Sequence, residues 1–219
     1  MSWPEAAAGL TAPWSTSLLL IAACYLVGCF NSGYYLVRWH HAGDIREQGS
    51  GGTGATNVGR TLGAFGFAAT FILDMAKGAL AVWMGIRLQL GSWGLILAIL
   101  AVVAGHIWPM QLHFRGGKGI ATFLGALLVA DYFILVVSVV IFLVVFAFLR
   151  RFTFSGLAAL ALTTPVLACW DRPQGRAFGY FILVVPVLYA HRHNLREDFA
   201  FIRGGATESP CAGPPSQEE

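Results

Sequence analysis

Three stretches of this 219-residue chain gather groups suited to binding anions. The first runs Gly49-Ser50-Gly51-Gly52-Thr53-Gly54-Ala55-Thr56-Asn57-Val58-Gly59-Arg60 and carries five glycines in the eleven residues before Arg60. Glycines in such a run accept positive φ and let the backbone approach a ligand. Their successive N–H groups form a nest for an anion. Ser50, Thr56, Asn57 and Arg60 add side-chain donors to the nest around Gly51, Gly52 and Gly54. The second stretch, from Gly105-His106 to Arg115-Gly116-Gly117-Lys118-Gly119, leads into an apolar segment that reads as a helix, and helix N-termini favour phosphate. It is not a nucleotide-hydrolysing P-loop, because Gly119 stands where that loop needs Ser or Thr. The third, His191-Arg192-His193-Asn194-Leu195-Arg196, combines two imidazoles and an amide with basic charge. His106 and His191 are candidate general bases, since histidine titrates near neutral pH. Ser155, just beyond Arg150 and Arg151, is a possible fourth contributor.

The elements between these stretches are strongly apolar. Hydrophobic residues make up 57% of the chain and charged ones 11%, against about 25% charged in soluble domains. Mean hydropathy is +0.67. A water-soluble domain and a disordered chain are excluded, and a net charge of +3 is too small to imply a nucleic-acid partner. A spanning helix needs about 20 apolar residues, which predicts spans at 16–37, 62–86 and 92–112. The next run, 120–149, would reach about 45 Å as one helix, half as long again as the hydrocarbon core. Asp131 splits it into a short helix over 120–130 and a full span over 132–149. Spans at 154–170 and 177–190, the latter with Pro186, complete an all-α polytopic fold of seven transmembrane helices, one of them short.

Basic residues support that count. Seven spans place ten Lys and Arg on one side, three on the other, and Lys77 within a span. The richer side is the cytoplasmic one by the positive-inside rule, and it carries all three polar stretches. Asp74 and Lys77 lie three residues apart within one span, hence on one helical face. Such charges are paired or functional, and a structural ion pair is the favoured reading. Trp39, Trp93, Trp108 and Trp170 fall near span ends, as interfacial anchors do. Cys24, Cys29, Cys169 and Cys211 show no metal or redox spacing, and no metal or cofactor is expected. Residues 1–16 lack the basic n-region of a cleavable signal peptide. The organisation expected is one membrane domain over 1–205 and a disordered Pro-, Gly-, Ser- and Glu-rich tail over 206–219.

Taken together, the three stretches resemble, in order and spacing, the motifs of the PlsY family of bacterial acyl-phosphate:glycerol-3-phosphate acyltransferases, over roughly residues 16–196. The resemblance implies a seven-helix enzyme of the bacterial inner membrane with a cytoplasmic-facing site. Its reaction would move an acyl group from acyl phosphate to the 1-hydroxyl of glycerol 3-phosphate, giving lysophosphatidic acid, the first step of phospholipid synthesis. Carried over, Ser50, Gly51, Gly52, Gly54, Thr56 and Asn57 would hold the acyl phosphate. Arg60, Lys118, His191 and Asn194 would hold glycerol 3-phosphate, with Arg60, Lys118, His106 and His191 as the catalytic set. Membrane lipid is the other partner expected.

The sequence departs from the family pattern in places. Gly52 replaces an Asn, and Phe154 replaces a Ser, so Ser155 serves only if the register slips by one. Glu197 stands at an Arg position, and the Gly and Glu that follow in the family occur only out of register, at Gly205 and Glu208. Gln111 stands where the His-x4-Asp acyltransferases carry Asp. The rival reading is a transporter or channel for an organophosphate anion, which gains from midplane charges and Gly-interrupted segments. It loses from the lack of an internal repeat and from polar groups clustered on one face.

Overall fold

The computed structural model describes residues 13–41, 43–170 and 175–193, and for residues 41, 175 and 176 the backbone only. Eight α-helices follow in chain order: α1 Trp14–Cys29, α2 Ser32–His41, α3 Ala55–Arg87, α4 Ser92–Ile107, α5 Ile120–Ala130, α6 Tyr132–Leu149, α7 Phe152–Trp170 and α8 Gly175–Ala190. Five helical stretches are long and apolar enough to cross a bilayer: Trp14–His40, Ala55–Arg87, Ser92–Leu112, Tyr132–Leu149 and Phe152–Trp170. Two apolar helices, Ile120–Ala130 and Ala177–Ala190, are shorter.

Helix α4 is the axis of the bundle. Leu95, Ile96, Ala98, Ile99, Val102 and Val103 are all buried, against α1 on one side and α3, α5 and α8 on the others. Small residues bring the backbones together, the usual device where lipid removes the hydrophobic drive between helices. A methyl group on Gly28 would strike the Val102 carbonyl, and one on Gly105 the Tyr25 carbonyl. Gly78 and Gly125 do the same between α3 and α5, against Thr122 and Met75. Helix α6 is the peripheral one. Val136, Val140, Leu143, Val144 and Phe148 are all more than half exposed, the arrangement of a surface facing hydrocarbon. A polar clasp ties it to α7 and α8. Ser138 Oγ donates to the Ile134 carbonyl and Thr163 Oγ1 to the Ala159 carbonyl, both at 2.8 Å. The Tyr180 hydroxyl is therefore the donor to Ser138 Oγ, at 3.3 Å.

Asp131 divides the 120–149 run as expected, accepting from the Phe133 and Ile134 N–H groups at 3.1 and 3.3 Å. Two expectations need correction. The first span is broken at Phe30-Asn31 into α1 and α2, and Lys77 from α3 takes the Gly28 and Phe30 carbonyls at the break. The second begins at Ala55 rather than residue 62, so Thr56, Asn57 and Arg60 sit on a helix and not in a loop. The third is found at Ser92–Leu112 as expected, with α4 ending at Ile107 and a short 3₁₀ turn over Met110–Leu112 completing it. The tail over 206–219 lies outside the described residues.

Helix α3 bends at Gly63, whose φ of 70° and ψ of −162° belong to a region open essentially to glycine. No atom lies within 4 Å of where its Cβ would be, so backbone strain alone opposes a side chain there. Gly63→Ala should therefore destabilise the protein by about 1–3 kcal/mol. Gly156→Ala, equally unobstructed but without a positive φ, should cost nothing. Thermal unfolding in detergent distinguishes the two, and equal melting temperatures would show that the bend is not strained.

Candidate active site

The first polar stretch is shaped by a residue that faces away from any ligand. Asn57 is 3% exposed. The two N–H bonds of its Nδ2 are shared among the carbonyls of Ile45, Gln48 and Gly52 at 3.2, 2.9 and 2.9 Å, and its Oδ1 accepts from Ser50 N at 3.0 Å. Gly49 (φ 52°) must be glycine because a Cβ would overlap Asn57 Oδ1. The amide expected to bind phosphate is thus spent inside the loop, and Asn57 sets the loop's shape instead. Gly54 precedes α3 with no side-chain cap, which leaves the helix N-terminus open to an anion. Ser50, Thr56 and Arg60 are exposed.

Arg46 locks this loop onto the second stretch. It pairs with Asp44 at 2.6 Å and donates to the Leu112 carbonyl at 2.8 Å. The hydrogen bond from Arg46 holds the Asp44 carboxyl below the usual carboxylate range. Thr53 N reaches the Gly116 carbonyl at 3.4 Å. The two glycine-rich segments therefore meet edge to edge. Gly116 N and Gly117 N donate to the Ile107 and His106 carbonyls at 3.1 and 3.0 Å, folding the second segment back on the end of α4. Gly119, with φ 86°, turns the chain into α5.

His106 is 3% exposed and faces inward. Lys77 Nζ lies 2.8 Å from its Nδ1, 3.0 Å from Asp74 Oδ1, and 2.7 and 3.2 Å from the Phe30 and Gly28 carbonyls. Ser32 Oγ donates to Asp74 Oδ1 at 2.9 Å. The charges expected to pair do pair. An ammonium has only donors, so His106 Nδ1 is its acceptor and that ring nitrogen is not free to take a substrate proton. The expectation of His106 as a base does not fit this geometry.

His191 follows α8, 3% exposed, its Nδ1–H donating to the Val187 carbonyl at 2.8 Å. Burial, with a smaller contribution from the Lys118 charge, pushes its pKa down to about 4. The ring is neutral at physiological pH, and Nε2 holds a lone pair able to accept from a hydroxyl. Lys118 is half-buried and close enough to His191 to act on its charge. Asn194, Glu197, Gly205 and Glu208 lie outside the described residues.

An open cleft of about 440 Å³ joins the start of α3 to the α6–α7 turn, lined by Thr56, Arg60, Phe67, Arg151, Phe152, Thr153 and Phe154. Ser155, fully buried, is not among its lining residues, and Thr153 brings a hydroxyl there instead. Sequence reasoning missed Arg151 and Thr153 as lining groups, and also Asn31, whose Oδ1 accepts from Thr53 Oγ1 at 2.6 Å. Asn31-Ser32-Gly33, polar residues inside an apolar run, were the available signal.

Asn57→Ala should remove four loop hydrogen bonds and strand buried carbonyls, at about 1–3 kcal/mol for each group left unpaired. Stability and activity should fall together. Thr56→Val, at an exposed position, should impair substrate use while leaving the melting temperature unchanged. Calorimetry beside initial rates checks both, and a stable but inactive Asn57→Ala would return Asn57 to the list of direct ligands.

The chain and its fold match known proteins. Residues 18–200 match the family described as glycerol-3-phosphate acyltransferase. Glycerol-3-phosphate acyltransferase 1 of Desulfitobacterium hafniense is 47% identical over 181 residues, which span 82% of this chain and 89% of that protein. The corresponding protein of Bacillus thuringiensis is 36% identical over 81% of this chain and 98% of its own length. The crystal structure of PlsY (YgiH), an integral membrane glycerol 3-phosphate acyltransferase, in its glycerol 3-phosphate form superposes with a TM-score of 0.75 at 27% identity, covering 89% of this chain and 96% of that one. Its lysophosphatidic acid form gives a TM-score of 0.72. With residues 18–200 matched to the family and 82% of the chain aligned at 47% identity to one member, the chain belongs to the integral membrane glycerol-3-phosphate acyltransferases of the PlsY type.

Proposed function

We propose that this glycerol-3-phosphate acyltransferase takes its acyl group from acyl phosphate and works at the cytoplasmic face of a bacterial inner membrane, with seven membrane-crossing helices, α5 among them as a short one. The observation that carries the reading is the edge-to-edge contact of two glycine-rich segments through Thr53 N and the Gly116 carbonyl. A site joining two phosphate-bearing substrates needs two anion cradles at such close range. The first, with Ser50, Gly51, Gly52, Gly54 and Thr56, takes the phosphate of the acyl phosphate. Arg60 and Lys118, with His191 and Asn194, take glycerol 3-phosphate.

Acyl phosphate is a mixed anhydride with a good leaving group, so no covalent intermediate is needed. The acceptor's 1-hydroxyl oxygen bonds to the carbonyl carbon. The carbon–oxygen bond to phosphate breaks, and its electron pair leaves on the phosphate. The hydroxyl proton passes to that phosphate, or to His191 Nε2, which is neutral and unprotonated at physiological pH. The protein's contribution is to hold both anions in reacting order and to stabilise developing charge with N–H groups and cations. The product is lysophosphatidic acid, and its acyl chain remains in the bilayer.

Detergent-solubilised protein should release phosphate and form lysophosphatidic acid from acyl phosphate and glycerol 3-phosphate, with no sealed compartment. Robust turnover with acyl-CoA alone would overturn the donor assignment. Lys118→Ala should fold normally yet lose about ten- to 150-fold in acceptor kcat/KM, the equivalent of one charge-assisted hydrogen bond of about 1.5–3 kcal/mol. Lys118→Arg should recover part of this, since a planar fork replaces a compact charge. Near-normal kcat/KM in Lys118→Ala would make Lys118 a headgroup anchor.

A further inference from the structure

The buried charges between α1, α3 and α4 have no part in the chemistry above, yet short chains of contacts link them to both glycine-rich segments. Their links to the first run through the broken helix. Lys77 takes the Phe30 and Gly28 carbonyls at the break. The next residue, Asn31, donates to the Cys29 carbonyl at 3.1 Å and accepts from Thr53 Oγ1 at 2.6 Å. The link to the second runs through His106. Lys77 fixes its Nδ1 at 2.8 Å, and Gly117 lies so close over the ring that a Cβ there would overlap Nε2. Gly117 immediately precedes Lys118.

We infer that Lys77, held by Asp74 and Ser32, is a positioning residue for acyl transfer: through the α1–α2 break and through His106 it fixes the two anion-binding segments relative to each other. On this account His106 acts as a spacer with an acceptor at Nδ1 and not as a base. Lys77 has three protons to donate and four acceptors around it, so its place is set from several directions at once. Lys77 and Asp74, 5% and 1% exposed, spend their polar atoms on groups of the protein itself. A displacement of about 1 Å between reacting groups costs on the order of a hundredfold in rate, so the joint matters without touching either substrate.

The inference rests on the acyltransferase reading, and the test separates the two. Wild-type formation of lysophosphatidic acid from acyl phosphate reports on the reading, and a variant series reports on the joint. His106→Asn keeps an acceptor where Nδ1 stood, whereas His106→Leu and Lys77→Met remove one side of the contact. KM does not depend on how much of the protein is folded. The expected result is an acceptor KM raised about tenfold or more in His106→Leu and Lys77→Met, a larger share of acyl phosphate lost to water, and His106→Asn within about threefold of wild type. If the apolar variants fail to fold, His106→Gln, which moves its amide towards the Nε2 position, takes their place and should be clearly worse than His106→Asn. His106→Asn as impaired as His106→Leu or His106→Gln would show that the imidazole itself is required. Folded variants with unchanged KM and unchanged partition would show that the cluster only supports the bundle. Either result overturns the inference.

Discussion

One lysine inside the bundle makes the rest of the architecture possible. A helix that breaks at the depth of other helices frees carbonyl groups with no water to meet them, at several kcal/mol for each group left bare. The α1–α2 break frees those of Gly28 and Phe30, and Lys77 reaches across from α3 to take both. Asp74, one turn away on the same face, balances the charge, and Ser32 and His106 complete the shell. Without that ammonium the first helix has reason to run straight, and Asn31 has no reason to turn towards Thr53. The two polar segments would then lack a common floor.

Above that floor, labour is divided between residues that shape and residues that present. Asn57, Arg46 and Asn31 spend their hydrogen bonds on the protein's own backbone or on each other's neighbours. Ser50, Thr56, Arg60 and Lys118 are left nearer the solvent. Rigid cradles of this kind do not have to reorganise as charge develops, which is where a preformed site gains over water.

The large features of this molecule were legible because they follow from burial and length. Asp131 had to divide a run too long for one span, and Asp74 with Lys77 had to find each other in an apolar interior. The glycine-rich segments stood out from composition, and the structure brings the two into contact. What sequence could not show was direction. Asn57 reads the same whether its amide faces a phosphate or three carbonyls, and His106 reads the same facing substrate or Lys77. Both are settled by contacts between residues 5 to 29 positions apart, beyond what helical or strand periodicity encodes. The early start of α3 was hidden for another reason: glycines at 54, 59 and 63 look like loop residues, yet only Gly63 departs from the helix within α3.

The bend at Gly63 divides α3 unequally. The 24 residues after it cover about 36 Å, already enough for the hydrocarbon layer. The two turns before it, bearing Thr56 and Arg60, are surplus to that crossing. On the proposed function they lie among lipid headgroups, where phosphate is abundant, but as the phosphodiesters of the membrane itself, each with one negative charge and two ester arms. A cradle of backbone N–H groups and arginine in that layer would be bathed in competitors at high local concentration. Its selectivity would have to come from the second negative charge and the bare oxygens of a terminal phosphate, which the surrounding lipid cannot offer.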